Sequence, residues 1–258
     1  MLKHKIVTVF FVLVLMLLAF LPFFEKTEIK YFAMVICLWF LIVFWGSTFI
    51  ASNYHVKTYC SNPLETEKKI ALTFDDGPNE MTLLVLNILK KYNAKATFFC
   101  IGKNIETHPD ILRQTIEEGH TIGNHSYSHS PFFDFYGKDQ VIAEIEKTDA
   151  LIESVTGKKT TVFRPPYGVT NPSIRRALEV THHKTIGWNI RSLDGVVKSE
   201  KFLLDRIKKR IKPGGVVLLH DTSIQTVNVV EQLLSFLQQN NYAVVSLEEL
   251  LNIKAYEN

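Results

Sequence analysis

The chain has 258 residues, 47% of them hydrophobic, with 29 Lys/Arg against 26 Asp/Glu. Residues 1–60 hold five of the basic and two of the acidic residues, which leaves 24 of each beyond them. A remainder that balanced carries no electrostatic footprint for nucleic acid, so no nucleic-acid partner is expected.

In chain order, residues 6–24 and 31–54 carry no charge. Each is long enough to cross a membrane as a helix, which takes roughly 20 apolar residues at about 1.5 Å of rise. Lys3, His4 and Lys5 also make a suitable start for a signal peptide. Against that, the first apolar run exceeds the usual length of about 7–15 residues and shows no convincing small-x-small cleavage site. Two transmembrane helices, about 6–24 and 31–51, joined by the turn Glu25 to Lys30, are expected to form a membrane anchor over 1–54. Residues 55–68, polar with Ser61-Asn62-Pro63 and then charged from Glu65, read as a linker. Three scattered cysteines, Cys37, Cys60 and Cys100, make neither a disulfide framework nor a zinc knuckle.

Over 69–258, short apolar runs alternate with segments of helical period. Strands are expected at Lys69–Phe74, Lys95–Ile101, His120–Asn124, Thr160–Phe163, Lys184–Trp188, Gly215–Leu219 and Tyr242–Ser246. Helices are expected at Met81–Tyr92, Ile105–Glu118, Lys138–Thr156, Pro172–Glu179, Glu200–Ile211 and Val227–Asn240. A helix between each successive pair of strands argues for a parallel sheet. Polar clusters follow strands one, three, four, five and six: Thr73 to Pro78, His125 to His129, Arg164 to Tyr167, Ser192 to Asp194, and Leu218 to Asp221. Five strands feeding one site suit a barrel better than an open sheet, whose site gathers at a switch point between two strands. The expected fold is therefore α/β, a distorted (β/α) barrel of about seven strand–helix units preceded by two transmembrane helices.

The clusters hold reactive side chains with competing readings. Asp75 and Asp76 end strand one, where successive side chains point oppositely, but Gly77-Pro78 breaks that geometry and lets both carboxylates reach one cavity. The same residues also make an ordinary turn with an Asx cap at Asn79. His125 and His129 are spaced so that a helical turn brings both imidazoles to one side. A carboxylate with two histidines is a recurrent catalytic zinc set, and it suits ferrous iron as well. Two unrelated surface histidines are the alternative; His182 and His183 read that way, and His120 reads as a structural strand residue. His220 follows a strand too apolar to need it for packing, and its ordinary pKa near neutrality suits a general acid. A carboxylate such as Asp194 would orient it and keep it protonated, while a buried histidine bonded to Asp221 is the bland reading. Arg164, before two prolines, sits in a rigid turn from which it can pin a carboxylate by a bidentate bond.

Together these clusters, in this order, resemble the polysaccharide deacetylases with a NodB-homology domain, over about residues 68–250. The resemblance implies a divalent metal, usually zinc, held by Asp76, His125 and His129. It implies Asp75 as the general base acting on metal-held water and His220 as the general acid. Arg164 would position Asp75, and Asp194 would support His220. Tyr167 would contribute its backbone N–H to an oxyanion pocket, and Leu218 would line an acetyl pocket. One departure stands out: many relatives have a Trp after the acid of the fourth cluster, where this chain has Gly195.

The expected activity is removal of N-acetyl groups from an N-acetylglucosamine-type polysaccharide, peptidoglycan or chitin-like, with release of acetate. The alternatives are a metal-dependent esterase or amidase on another acyl substrate, and a non-catalytic carbohydrate-binding relative. The partners implied are an N-acetylated glycan and the lipid bilayer. The catalytic domain is expected on the extracytoplasmic side of the membrane, where wall glycan lies. Lys3 and Lys5 against Lys26 and Lys30 decide the orientation only slightly.

Overall fold

Side chains alternate faces along Lys69–Asp75: Ile70, Leu72 and Phe74 enter one buried cluster, while Ala71 enters another. The computed structural model, which describes residues 2–20 and 28–257, shows what those two faces meet. The outer face packs against helices, with Val85, Leu86 and Leu89 on one side and Val230 and Leu233 on the other. The inner face meets Phe99, Val162, Ile186 and Val216. Thr73 and Asp75 share the parity of Ala71 and so point inward too.

Nine strands among the described residues form one parallel sheet. They are β1 (Thr58–Tyr59), β2 (Lys69–Asp75), β3 (Ala96–Cys100), β4 (Thr121–Asn124), β5 (Val162–Phe163), β6 (Lys184–Ile186), β7 (Ile190–Arg191), β8 (Gly215–His220) and β9 (Ala243–Val244). Their order is β1-β6-β5-β4-β3-β2-β8-β7, with β9 pairing the start of β2. In that order β6 and β7 are distant, yet only Gly187, Trp188 and Asn189 separate them along the chain. Four Cα steps reach at most about 14 Å, so the sheet curls until its ends approach. Ser61, just after β1, bridges back to Gly215 of β8. The result is a curled half-barrel, in line with the expected (β/α) barrel.

The helices are α1 (His4–Phe20), α2 (Ile29–Thr48), α3 (Glu80–Lys91), α4 (Gly102–Thr107), α5 (Pro109–Glu117), α6 (Lys138–Thr156), α7 (Pro172–Thr181), α8 (Glu200–Lys208), α9 (Ile224–Gln239) and α10 (Leu247–Leu251). Three local features differ from the sequence reading. The single helix expected over 105–118 is two, because Pro109 disfavours a helical His108, which sits at φ −130°, ψ 54°. Residues 58–59, inside the expected linker, pair with β6 through Thr58↔Thr185 and Tyr59↔Ile186. The fourth polar cluster follows β7, a separate two-residue strand, rather than β6 directly.

The membrane expectation is corrected. Among the described residues one helix, α2, is long and apolar enough to cross a membrane. α1 is apolar but runs 17 residues, about 26 Å at about 1.5 Å per residue against a hydrocarbon layer of about 30 Å. One crossing helix is supported rather than two; the end of the 6–24 segment and the first half of the Glu25–Lys30 turn lie outside the described residues. α1 packs on α2 through Val7 and Phe11, which meet Val35, Trp39, Ile42 and Val43 beside Tyr54.

Candidate active site

Asp75 closes β2 on the inward face, and its neighbour ought to point outward. Asp76 instead takes a left-handed φ of 76°, which turns its carboxylate back into the same cavity. Asn79 caps α3, its Oδ1 accepting from the Met81 N–H at 2.8 Å, so the turn reading and the site reading both hold. Gly77 is required for this packing: a Cβ there would lie 2.5 Å from Asp221 Oδ2.

The His125–His129 segment is not helical. Ser126 and His129 adopt φ of 64° and 46°, and the ring centroids still stand only 4.9 Å apart. The loop is held by side chains that consume its N–H groups. Asn124 Oδ1 accepts from Ser126 N–H at 2.8 Å. Glu144 Oε2 accepts from the N–H groups of Tyr127 and Ser128 and from the Ser128 hydroxyl, at 3.0, 2.7 and 2.9 Å.

Ten described non-glycine residues have left-handed φ. Five are Asn or His residues away from the site, mostly of the types that tolerate it; the other five are Asp76, Ser126, His129, Tyr167 and Leu193. Each such residue costs of order 1–3 kcal/mol and persists only where its surroundings over-determine it. Their concentration around one cavity marks the functional region independently of motif.

That cavity has a volume of about 350 Å³. Asp75, Asp76, His125, His129, Tyr167, Leu218 and His220 line it. Arg164 and Asp194 stand behind, each against one lining residue. Arg164 is fully buried, and its Nη1 donates to Asp75 Oδ1 at 2.6 Å and to Thr73 Oγ1 at 2.9 Å. Its other donors go to the carbonyls of Ile186 and Gly187, at 3.2 and 3.1 Å. The grip on Asp75 is thus single-pronged rather than the bidentate bond expected.

Asp194 is saturated. It accepts from His220 Nδ1 at 2.8 Å, His220 N–H at 2.7 Å, the Ser192 hydroxyl at 2.6 Å and the Thr226 hydroxyl at 2.9 Å. Burial raises the Asp194 carboxyl pKa, but the His220 and Ser192 bonds outweigh it and hold the group below the usual range. Burial likewise lowers the His220 pKa, and the Asp194 bond and charge overcome it, with Asp75 and Asp76 adding to the effect, pushing it up to about 9. The alternative partner is excluded by geometry: Asp221 turns to the Thr82 hydroxyl at 2.5 Å.

Asp76, His125 and His129 could hold a metal, since one ligand atom from each lies within 4.8 Å of the others. Both His Nε2 atoms are 3.5 Å from Asp76 Oδ1. Ligands at about 2.0–2.2 Å from zinc in a tetrahedron stand about 3.3–3.6 Å apart, so the set fits. Two further observations agree. Asp76 Oδ1 is buried with no hydrogen-bond partner. His125 Nδ1 lies 2.7 Å from the Arg164 carbonyl, which can only accept, so Nδ1 carries the proton and Nε2 presents its lone pair.

Several contributors give no signal in the sequence. Glu144 sits in α6, where nothing local sets it apart. Thr226 and Asn104 act from helix starts, the latter donating to the Asp76 carbonyl at 2.7 Å. Trp188, Arg191, Leu193 and Gly195 also line the cavity. A Cβ on Gly195 would come no nearer than 3.7 Å to His220 Cε1, so that side is open, while Trp188 supplies an aromatic wall. His183, expected at the surface, has its side chain buried against Asp149 at 3.3 Å. His120 is structural as expected, its Nδ1 accepting from Ala96 N–H at 3.2 Å.

A family profile described as polysaccharide deacetylase matches residues 64–186. A peptidoglycan-N-acetylglucosamine deacetylase of Bacillus cereus is 35% identical over 196 residues, covering 71% of this chain and 71% of the relative. The peptidoglycan-N-acetylmuramic acid deacetylase PdaC of Bacillus subtilis is 32% identical over 189 residues, which is 73% of this chain but 40% of PdaC. The crystal structure of the Bc1960 peptidoglycan N-acetylglucosamine deacetylase, in complex with 4-naphthalen-1-yl-N-oxidanyl-benzamide, aligns with a TM-score of 0.72 and 30% identity. That alignment covers 78% of this chain and 95% of the other.

Proposed function

This chain belongs to the polysaccharide deacetylase family, hydrolases of carbon–nitrogen bonds, and from that premise we propose metal-dependent removal of N-acetyl groups from peptidoglycan glucosamine units. The observation that carries the proposal is the convergence on one cavity of three prepared groups. Asp75 is held by Arg164, His220 is held by Asp194, and Asp76, His125 and His129 form a donor set of zinc geometry.

Each residue has a distinct task. Asp76, His125 and His129 would hold a divalent cation, zinc by their donor types, which when bound polarises water and the amide carbonyl. Asp75 takes the proton of the attacking water at Oδ2, because Arg164 already occupies Oδ1. The Tyr167 N–H steadies the charge that develops on the acetyl oxygen, and Leu218 walls the acetyl methyl. His220 gives its proton to the departing nitrogen while Asp194 fixes its other side. The C–N bond breaks, the water oxygen stays on the acetyl carbon, and acetate and a free amine leave.

A muramic acid unit is the second reading, favoured by Arg191. Arg191 lines the cavity and makes no ion pair among the described residues, and a lactyl carboxylate would match its guanidinium. For location, α2 is proposed to anchor the chain with the catalytic domain on the side of the wall polymer.

The test is acetate release by the detergent-purified full chain from N-acetylglucosamine oligomers and from peptidoglycan, with chelator and then zinc. Release that stops with chelator and returns with zinc is expected. Asp75→Asn should lose about 10²–10⁴-fold in rate and still bind zinc. No acetate from either substrate under any divalent metal would overturn the proposal.

A further inference from the structure

A second cavity, of about 360 Å³, lies where the start of α1 meets the catalytic domain. Lys3, His4, Lys5, Tyr54, His55 and Arg175 line it, and no carboxylate does. Two of its cations are partly committed: Lys3 Nζ donates to the Asn53 carbonyl at 3.1 Å, and Arg175 Nη1 pairs with Glu179 at 2.6 Å. Lys5 is exposed and makes no ion pair among the described residues.

The imidazoles supply the observation that points to a ligand. His55 is 7% exposed and its Nε2 meets the Ser47 hydroxyl at 3.0 Å, but its Nδ1 is buried with no partner. His4, whose ring centroid stands 4.6 Å away, has a partnerless buried Nδ1 as well. Buried polar atoms in native proteins are almost always hydrogen-bonded, so two adjacent orphans beside Arg175 and Lys5 call for an acceptor. Burial first, then His4 and Arg175, push the His55 pKa down to about 4, so the ring is neutral; in the tautomer whose Nε2 accepts from the Ser47 hydroxyl, Nδ1 offers the N–H. The demand is for a compact anion with several acceptor oxygens.

From this junction the apolar helices lead away. Ile6, itself lining the cavity, begins an exposed apolar surface that continues through Phe10, Leu13 and Leu17 of α1. An anion at this point therefore has room for acyl chains along the helix. We propose that the cavity binds the phosphate of an anionic membrane lipid headgroup, joining the start of α1 to α7 of the catalytic domain.

The test uses the full chain in neutral-detergent micelles, with its melting temperature followed on addition of phosphatidylglycerol, phosphatidylcholine or inorganic phosphate. Phosphatidylglycerol should raise the melting temperature saturably and by several degrees, with little effect of phosphatidylcholine. In the double variant Lys5→Gln/Arg175→Gln that rise should vanish, with the lipid-free melting temperature showing that the variant still folds. The same double charge loss at Lys201 and Lys209, at the two ends of α8 and outside the cavity lining, should leave the rise intact. A full rise with inorganic phosphate, and none beyond it with phosphatidylglycerol, would overturn the lipid source. Equal responses to both lipids, or an unchanged rise in the double variant, would overturn the site. None of these readouts depends on acetate release, so the deacetylase proposal can fail separately.

Discussion

At His220, burial and charge act in opposite directions and the Asp194 carboxylate decides the outcome, which gives the pair a readable pH signature. The folded pKa of about 9 lies above the free value of about 6.5. The stability this adds is complete below the free value and is lost as pH rises through the folded one. The Asp194 contribution has the opposite sense, present above the ordinary carboxylate range and lost as pH falls. Thermal unfolding midpoints should therefore fall between about pH 6.5 and 9 in the parent chain and fall less in His220→Gln. Identical curves would remove the pairing as the cause. Asp221 carries the reverse arrangement. Burial raises its pKa to about 7, with Asp75 and Asp76 adding to it against the Thr82 bond, and Oδ1 has no partner. A raised carboxyl pKa means stability declines as pH climbs from the unfolded value through the folded one. Asp221→Asn should then match or exceed the parent at pH 8, by about 1 kcal/mol or about 2–4 °C; a large loss there would show the charge to be needed. The nine proposed site residues could be picked out of the sequence because each stood in a short polar cluster after an apolar run, and the fold gathers them at or behind one cavity. Glu144 was not, since a glutamate in a 19-residue helix resembles any solvated charge until the loop it serves is seen.

Among the elements, α6 does more than cover the sheet. Through Glu144 it satisfies three donors of the loop between His125 and His129, and so sets the separation of the two imidazoles from outside. Residues that hold ligands in place typically change metal affinity by about 10–100-fold when lost. Glu144→Ala is expected to weaken zinc binding by that order in a chelator competition while the fold survives. Zinc affinity equal to that of the parent would show that the loop holds itself. This loop also shows the limit of spacing arguments. A four-residue interval brought the histidines together as anticipated, but through left-handed Ser126 and His129 rather than a helical turn. Strands of five to seven residues such as β2 and β3 announced themselves by composition. β1 and β7, of two residues each, have no period to detect and exist only through their partners β6 and β8.

For the molecule as a whole, the apolar N-terminus is joined to the catalytic domain rather than trailing from it. The Ser47 carbonyl in the last turn of α2 accepts from Thr170 N–H at 3.0 Å, three residues beyond Tyr167. α2 leaves Met34, Phe40, Leu41 and Phe44 exposed, a contiguous run of large apolar side chains of the kind that marks a membrane or partner contact. The full chain should stay with membranes through alkaline carbonate extraction, and replacing Leu38, Leu41 and Val43 by Lys should release it; a parent chain found in the supernatant would remove α2 as an anchor. The barrel has its own such tie in Arg164, which reaches from the end of β5 to Thr73 and Asp75 on β2 and to carbonyls at the end of β6. Loss of Asp75 alone would strand a fully buried guanidinium, at a cost of about 3–5 kcal/mol. Loss of His129 or Tyr167, nearer the open mouth, strands nothing comparable. Descendants that drift away from catalysis should therefore erode from the mouth inward, discarding a histidine or the tyrosine early and surrendering Asp75 and Arg164 last, and as a pair.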